Sequence, residues 1–352
     1  LRLARRVAAL PRYRAAPWMG WGTFGVHQPA LDQFPYALWA RLLQRHGRRP
    51  PVAGEVRMHP LGLDETRAAI AGYLRTARGV RCEPEQILLV SGSQQALDLC
   101  ARVLCEPGDA VWMEEPGYWL AREAFLSAGC RLFPAPLDES GVHVPTARRL
   151  PSRARLAYVT PAHQYPLGAT LAAARRFALL RWARAAQAWI LEDDYDGEFR
   201  YDAQPVAALQ SLDADARVIY IGTFSKVLFP TLRFGYLVLP RDLVEGFVAV
   251  RRASDISPPH LIQTVIAEFI REGHFARHIQ RMRRLYRERR AALAAQLAAQ
   301  LPDWRIQGSD SGLHLALTPP CALDDIAACT RAAAAGLHAW PLEGVVDPEA
   351  GY

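Results

Sequence analysis

Between Ile87 and Pro240 short apolar runs alternate with longer amphipathic stretches. The runs are ILLV (87–90), AVWMEE (110–115), CRLFPA (130–135), RLAYVT (155–160), AWILED (188–193), RVIYIGT (217–223) and FGYLVLP (234–240). Each has the length and residue content of a buried strand. Most are separated by helical stretches, and SGSQQALDLCARVL (91–104) starts a helix directly after the first run. Alternation of this kind predicts an α/β fold, a wound sheet covered by helices. After Arg241 the strands thin out. Residues 261–301 read as helical throughout, and GLHLALT (312–318) as a strand of a second, smaller domain. Residues 1–50, rich in Pro, Trp and Arg, are expected to wrap the outside. The pattern divides the chain into a linker-like segment (1–20), an N-terminal arm (21–50), a large domain (51–245) and a small C-terminal domain (246–352).

Composition narrows the class. Hydrophobic residues make up 51% and charged residues 22% of the 352 positions, the balance of a soluble globular protein. No apolar run is long enough to span a bilayer. The six cysteines are scattered without a CxxC pair, which argues for free thiols in a reducing cytoplasm and against a disulfide frame or zinc site. A net charge of +7 is compatible with a nucleic-acid partner or a phosphorylated ligand and selects neither. The opening LRLARRVAALPRYRAAPW reads as the tail of a linker, as expected of a piece of a longer protein.

One basic residue stands apart. Lys226, in GTFSKVLFP (222–230), is the only lysine; the other 41 of the 42 basic residues are arginine. A solvated charge can be either residue, but a guanidinium stays protonated and forms no Schiff base. Lysine can be driven neutral by desolvation and then attacks an aldehyde. Lys226 follows a strand, where ligands bind in α/β sheets. Thr223, Ser225 and Arg233 nearby suit a phosphate monoester. Gly92 and Ser93 lie between a strand and a helix N-terminus, a natural anion site. Tyr118, in EEPGYW, can stack on a flat ring. Asp193 and Tyr195, in WILEDDYDGEF, can meet a protonated ring nitrogen and a ring oxygen. Amine, phosphate cup, stacking ring, carboxylate and phenol together describe a pyridoxal phosphate site.

The order SGSQQAL, EEPGYW, TPAHQYPLG, ILEDDYDGEFRY, YIGTFSKVLFPTLRFGYLVLP, EGHFARHIQRMRRLYRERR closely resembles the aminotransferase-like domain of MocR (GntR-type) bacterial transcription regulators. The resemblance covers nearly the whole chain. It implies a fold-type-I fold, with a mainly parallel seven-stranded sheet in the large domain and a smaller α+β domain. By this resemblance Lys226 carries the Schiff base, Asp193 holds the pyridine nitrogen, Tyr195 the ring oxygen, and Tyr118 stacks on the ring. Ser93, Gln94, Thr223, Ser225 and Arg233 hold the phosphate. The cofactor is pyridoxal 5′-phosphate, with no metal. The resemblance also implies a homodimer, an amino compound or pyridoxal phosphate as effector, and DNA contact through a winged helix upstream of these residues.

The pattern departs from that family in places. That family usually begins with a winged helix-turn-helix domain, and of that region only a linker-like start remains in this sequence. The asparagine of the Asn-Pro-x-Gly turn of classical aminotransferases is absent from QYPLG, although MocR proteins often carry a similar His-Gln-aromatic-Pro version. Arg57 stands where a tyrosine reaching the partner's phosphate is common. The chain stops within EGVVDPEAGY, before the strand where aminotransferase relatives place an arginine for the substrate carboxylate, so the small domain is expected to be incomplete here. Other readings stay open residue by residue. Tyr118 could be core packing, and Asp193 a cap or loop ion pair. The acidic cluster Glu192, Asp193, Asp194 and Asp196 could suggest a metal, but adjacent strand residues face opposite sides and cannot all converge. The basic stretch Arg277–Arg290 reads as a solvated, salt-bridged helix face, and His163 as a structural hydrogen-bonder near the cofactor. Two functions follow: the sensing module of a regulator, or a free-standing aminotransferase.

Overall fold

The apolar runs form one sheet. The structure, a computed structural model, describes residues 7, 10, 16–26, 28–48, 59–144, 154–201, 206–308 and 310–342. Arg57 and the terminal stretch 343–352 lie outside the described residues. The strands are β1 (Ile87–Val90), β2 (Ala110–Glu115), β3 (Arg131–Asp138), β4 (Gly141–Val142), β5 (Ala154–Val159), β6 (Trp189–Asp194), β7 (Val218–Thr223) and β8 (Gly235–Val238). Their order is β1-β8-β7-β6-β5-β2-β3-β4. Neighbours from β7 through β6, β5 and β2 to β3 are parallel, while β8 runs antiparallel to β7 and β1. The seven expected strands are present, but the sheet has eight. The extra strand, β4, is a two-residue hairpin return pairing with the end of β3, too short to leave a hydrophobic pattern.

Parallel strands buried on both faces read as continuous apolar runs, and helices cover both faces here. On one side α3 (Ser93–Leu104), α4 (Trp119–Ser127) and α7 (Val244–Arg252) pack on Leu88, Val111, Leu156, Leu191, Ile219 and Leu237. On the other, α1 (Tyr36–Gly47), α2 (Asp64–Ala77) and α8 (His260–Arg271) cover Ile87, Leu89, Tyr220 and Val238. There α5 (Ala173–Ala186) covers Trp112, Ala157, Ile190 and Val218. A one-turn helix α6 (Leu209–Leu212) lies just before β7.

The expected continuous helix 261–301 is two helices. α8 ends at Arg271 and α9 (His274–Gln300) restarts after Gly273, whose φ of 73° is a left-handed conformation that glycine adopts without strain. Both α8 and the first turns of α9 share a core with the large sheet through Val265, Ile266, Phe269 and Phe275. The hairpin β9 (Arg305–Gln307) and β10 (Ala316–Thr318), with α10 (Asp325–Ala334), follows as a smaller unit.

The basic face of α9 holds the N-terminal segment. Ala30 donates its N–H to the Tyr286 hydroxyl at 2.9 Å, and Arg289 lies 3.9 Å from Asp32. Phe34 then packs edge-on against Phe229 at 4.9 Å, three residues beyond Lys226. His278 donates from Nε2 to the Val227 carbonyl at 3.0 Å. Burial lowers that histidine's pKa to about 4, so it stays neutral and keeps the loop after Lys226 against α9.

Candidate active site

The parallel strands β2, β5, β6 and β7 end on one side of the sheet, beside the N-terminus of α3. There they enclose a cavity of about 260 Å³. Nine of the ten residues singled out from the sequence line it: Ser93, Gln94, Tyr118, Asp193, Tyr195, Thr223, Ser225, Lys226 and Arg233. The tenth, Gly92, lies directly behind Arg233. A Cβ on Gly92 would stand 3.0 Å from the guanidinium, and its φ of +92° disfavours any other residue. Arg233 itself sits in a left-handed conformation (φ 48°) after the turn Pro230–Leu232, and Nη2 donates to the Ser91 carbonyl at 3.1 Å. A guanidinium above the first turn of a helix makes one end of the cavity an anion site.

At the other end lies Asp193, the fifth residue of β6. The Tyr158 hydroxyl, from β5, donates to its Oδ2 at 2.8 Å. Its Oδ1 is buried and has no hydrogen-bond partner among the described residues. Burial raises this carboxyl to about 7, opposed by the Tyr158 hydrogen bond. Lys226 follows β7 on the loop opposite. Burial lowers its amine to about 8, against the pull of Asp196 and Asp193, so a useful neutral fraction exists near neutrality. Ser225 presents a second buried orphan, its Oγ, while its N–H donates to Thr223 Oγ1 at 3.2 Å. Tyr118 meets Tyr165 edge-on at 5.7 Å, and burial holds its phenol above the usual range.

Gln94 points the other way from the expected role. Its Nε2 donates to the Leu120 carbonyl at 2.9 Å, which leaves the acceptor Oε1 as the amide atom without a partner among the described residues. An acceptor cannot hold an anion; only the main-chain N–H of Gln94, in the first turn of α3, can.

The four carboxylates of EDDYD diverge. Glu192 accepts from Leu209 N (2.6 Å) and Gln210 N (2.8 Å). Asp194 takes Arg78 Nε (2.8 Å) and Nη2 (2.6 Å) together with the Tyr220 hydroxyl. Asp196 pairs with His163 Nδ1 at 3.0 Å, and that nitrogen also lies 3.1 Å from the Tyr195 hydroxyl. His163, Asp196 and His314 bring three donor atoms within 4.8 Å of one another. Hydrogen bonds already engage them: Asp196 on His163, and His314 Nε2 on the Pro166 carbonyl at 3.0 Å. Sequence reasoning assigned no role to Tyr158, Asp196 or His314. Tyr158 sits inside an apolar run, and only strand register brings it beside Asp193.

These residues fit a phosphorylated pyridine aldehyde. The cavity is lined by a carboxylate and a hydroxyl that each keep an orphaned oxygen, by a guanidinium, and by an amine easily made neutral.

Fold and cavity together define the class of the pyridoxal-phosphate-dependent transferases. The family description Aminotransferase class I and II matches residues 43–327, and the chain belongs to that family, among its MocR-type regulator relatives. It is 44% identical over 342 residues to the probable rhizopine catabolism regulatory protein MocR of Rhizobium meliloti, covering 96% of this chain and 68% of that protein. It is 38% identical to the HTH-type pyridoxine biosynthesis transcriptional regulator PdxR of Corynebacterium glutamicum, over 73% of this chain and 55% of PdxR. The chain thus spans between about half and two thirds of the length of these relatives. Among solved structures, Pyrococcus horikoshii kynurenine aminotransferase, crystallised in complex with PMP, superposes with a TM-score of 0.87 at 27% identity, over 97% of this chain and 88% of that one.

Proposed function

We propose that this chain is the pyridoxal-phosphate-binding, effector-sensing part of a MocR-type transcription regulator. The observation that carries the reading is the convergence of Lys226, Asp193 and Arg233 on one cavity in a chain most of whose length matches regulators. Pyridoxal phosphate, when bound, supplies an aldehyde for amines and an electron-withdrawing ring. Lys226 offers the amine for its attachment. Asp193 Oδ1 would hold the ring nitrogen, Tyr195 would hold the ring oxygen, and Tyr118 would stack on the ring. Arg233, Thr223, Ser225, Ser93 and the main-chain N–H groups beside Gly92 and Gln94 take the phosphate.

An amino compound entering the cavity would compete with Lys226 for the aldehyde. The freed amine lies on the loop that His278 and Phe229 tie to α9 and to residues 30–39. This gives a physical route from ligand to the N-terminal side, where a winged helix contacting DNA belongs in this reading. The same reading includes a segment 1–20 leading in from upstream, an arm at 21–50, a cofactor unit at 51–245 and a smaller unit at 246–352. It also includes a cytoplasmic homodimer. No described helix is long and apolar enough to cross a membrane.

The free-standing aminotransferase is the rival, favoured by the likeness to whole aminotransferase structures. A paired assay separates the two. The cofactor-loaded protein is mixed with amino acids, and both the visible spectrum and keto-acid product are followed. The sensor reading expects a spectral shift with slow or no turnover. Fast multiple turnover would overturn it.

A further inference from the structure

Asp193 faces more than one neighbour, and their arrangement gives its two oxygens different jobs. β5 and β6 run parallel with Tyr158 opposite Leu191. Asp193 lies two residues beyond Leu191, on the same face of the sheet. The Tyr158 side chain reaches the strand ends and donates to Oδ2 at 2.8 Å, and its ring is held by Phe125 at 6.4 Å. Tyr158 lines the cavity, and Oδ1 is left as the oxygen of Asp193 without a partner among the described residues.

We propose that Tyr158 is a positioning residue for the cofactor's ring nitrogen: it occupies Oδ2 of Asp193, fixes the carboxylate plane, favours its ionised form, and so presents Oδ1 to the ring. A donated hydrogen bond stabilises the charged form of a carboxyl. The other titratable groups that act on Asp193 through charge are Glu114 on β2, Tyr118 after it, Tyr195 and Asp196 after β6, Lys226 after β7, and, from the opposite face of β6, Asp194. The acidic ones oppose ionisation and Lys226 favours it. Among the described residues, Tyr158 is the side chain that hydrogen-bonds this carboxylate directly. The inference rests on the cofactor reading above.

Tyr158→Phe tests it, since the ring and its packing are kept and only the hydroxyl goes. The probe is 4′-deoxypyridoxine 5′-phosphate, which has the ring and phosphate but no aldehyde or amine, so attachment to Lys226 plays no part. Its affinity is measured against pH for wild type, Tyr158→Phe and Asp193→Asn, with a thermal melt confirming that each is folded. Wild-type binding should strengthen as pH rises through about 7, where Asp193 ionises. In Tyr158→Phe that rise should move up by about one pH unit, with binding at neutral pH roughly tenfold weaker. Asp193→Asn should lose the rise. A folded Tyr158→Phe variant with the wild-type pH profile, beside an altered Asp193→Asn profile, overturns the positioning role and leaves the cofactor reading intact. Absence of saturable binding by wild type, or an unaltered profile in Asp193→Asn, overturns the cofactor reading and this inference with it.

Discussion

Asp193 and Asp194 are neighbours on one strand and belong to two different regions. Asp194 points to the face covered by α2, where Arg78 and Tyr220 converge on its Oδ2, while its Oδ1, close to Gly197, has no hydrogen-bond partner among the described residues. Asp193 points to the cavity with one oxygen held by Tyr158 and one unheld. Both are buried. Each keeps one oxygen without a partner, so the difference lies in counter-charge and place: a buried carboxylate paired with an arginine is structural, whereas one that lines a cavity with only a neutral hydroxyl on it is prepared for something else. The same contrast runs along the edge of the sheet, from the capped Glu192 to the orphaned Ser225 hydroxyl.

The sharpest way to break this comparison is at Lys226. Lys226→Arg keeps the positive charge, so the fold and the Asp193 side should survive, while covalent cofactor attachment is lost entirely. Absorbance of the reconstituted protein reads this, and a retained visible band would show that another group holds the cofactor. Next in size is the stability split. Asp194→Ala strands Arg78 in the interior and should cost about 3–5 kcal/mol in denaturant unfolding. Asp193→Ala should cost far less stability but weaken cofactor retention. If the two behave the other way round, the roles of the two faces are exchanged.

Arg233→Ala should weaken binding of a phosphorylated pyridine on the order of 100-fold, and Ser225→Ala about fivefold, because a charge-assisted bond exceeds a neutral one. Equal losses for an unphosphorylated analogue would remove the phosphate from that end. The smallest effect is on pH. Burial raises Glu114, Glu192, Asp193 and Glu198 to about 7 each in the folded chain. Their raised folded values mean that this stability is full below the unfolded carboxyl range, near 4, and is lost as pH rises through 7. Apoprotein melts should therefore fall by a few degrees over that window, and Asp193→Asn should flatten part of the slope. A slope unchanged by that substitution would mean Asp193 titrates as it does in the unfolded chain.

Much of this was legible in the residues. The runs ILLV and AVWMEE coincide with β1 and β2, because strands buried on both faces carry a nearly continuous apolar signal. A single lysine among arginines marked the site because its chemistry has no substitute. Other features leave no local pattern. β4 is two residues long, and the break at Gly273 is one left-handed residue within a helical stretch. Tyr158 looks like any strand aromatic until β5 and β6 are in register, and Arg78 lies 116 residues from its partner Asp194. The orientation of the Gln94 amide depends on the Leu120 carbonyl, a contact made across two helix starts.

The central claim is that Lys226 lies where an aldehyde-bearing cofactor is bound. Borohydride reduction of the protein loaded with pyridoxal phosphate, followed by peptide mapping, tests it most directly. The account predicts one pyridoxyl-modified peptide, carrying the label on Lys226. Label confined to the N-terminal amine, or no label at all, would contradict it.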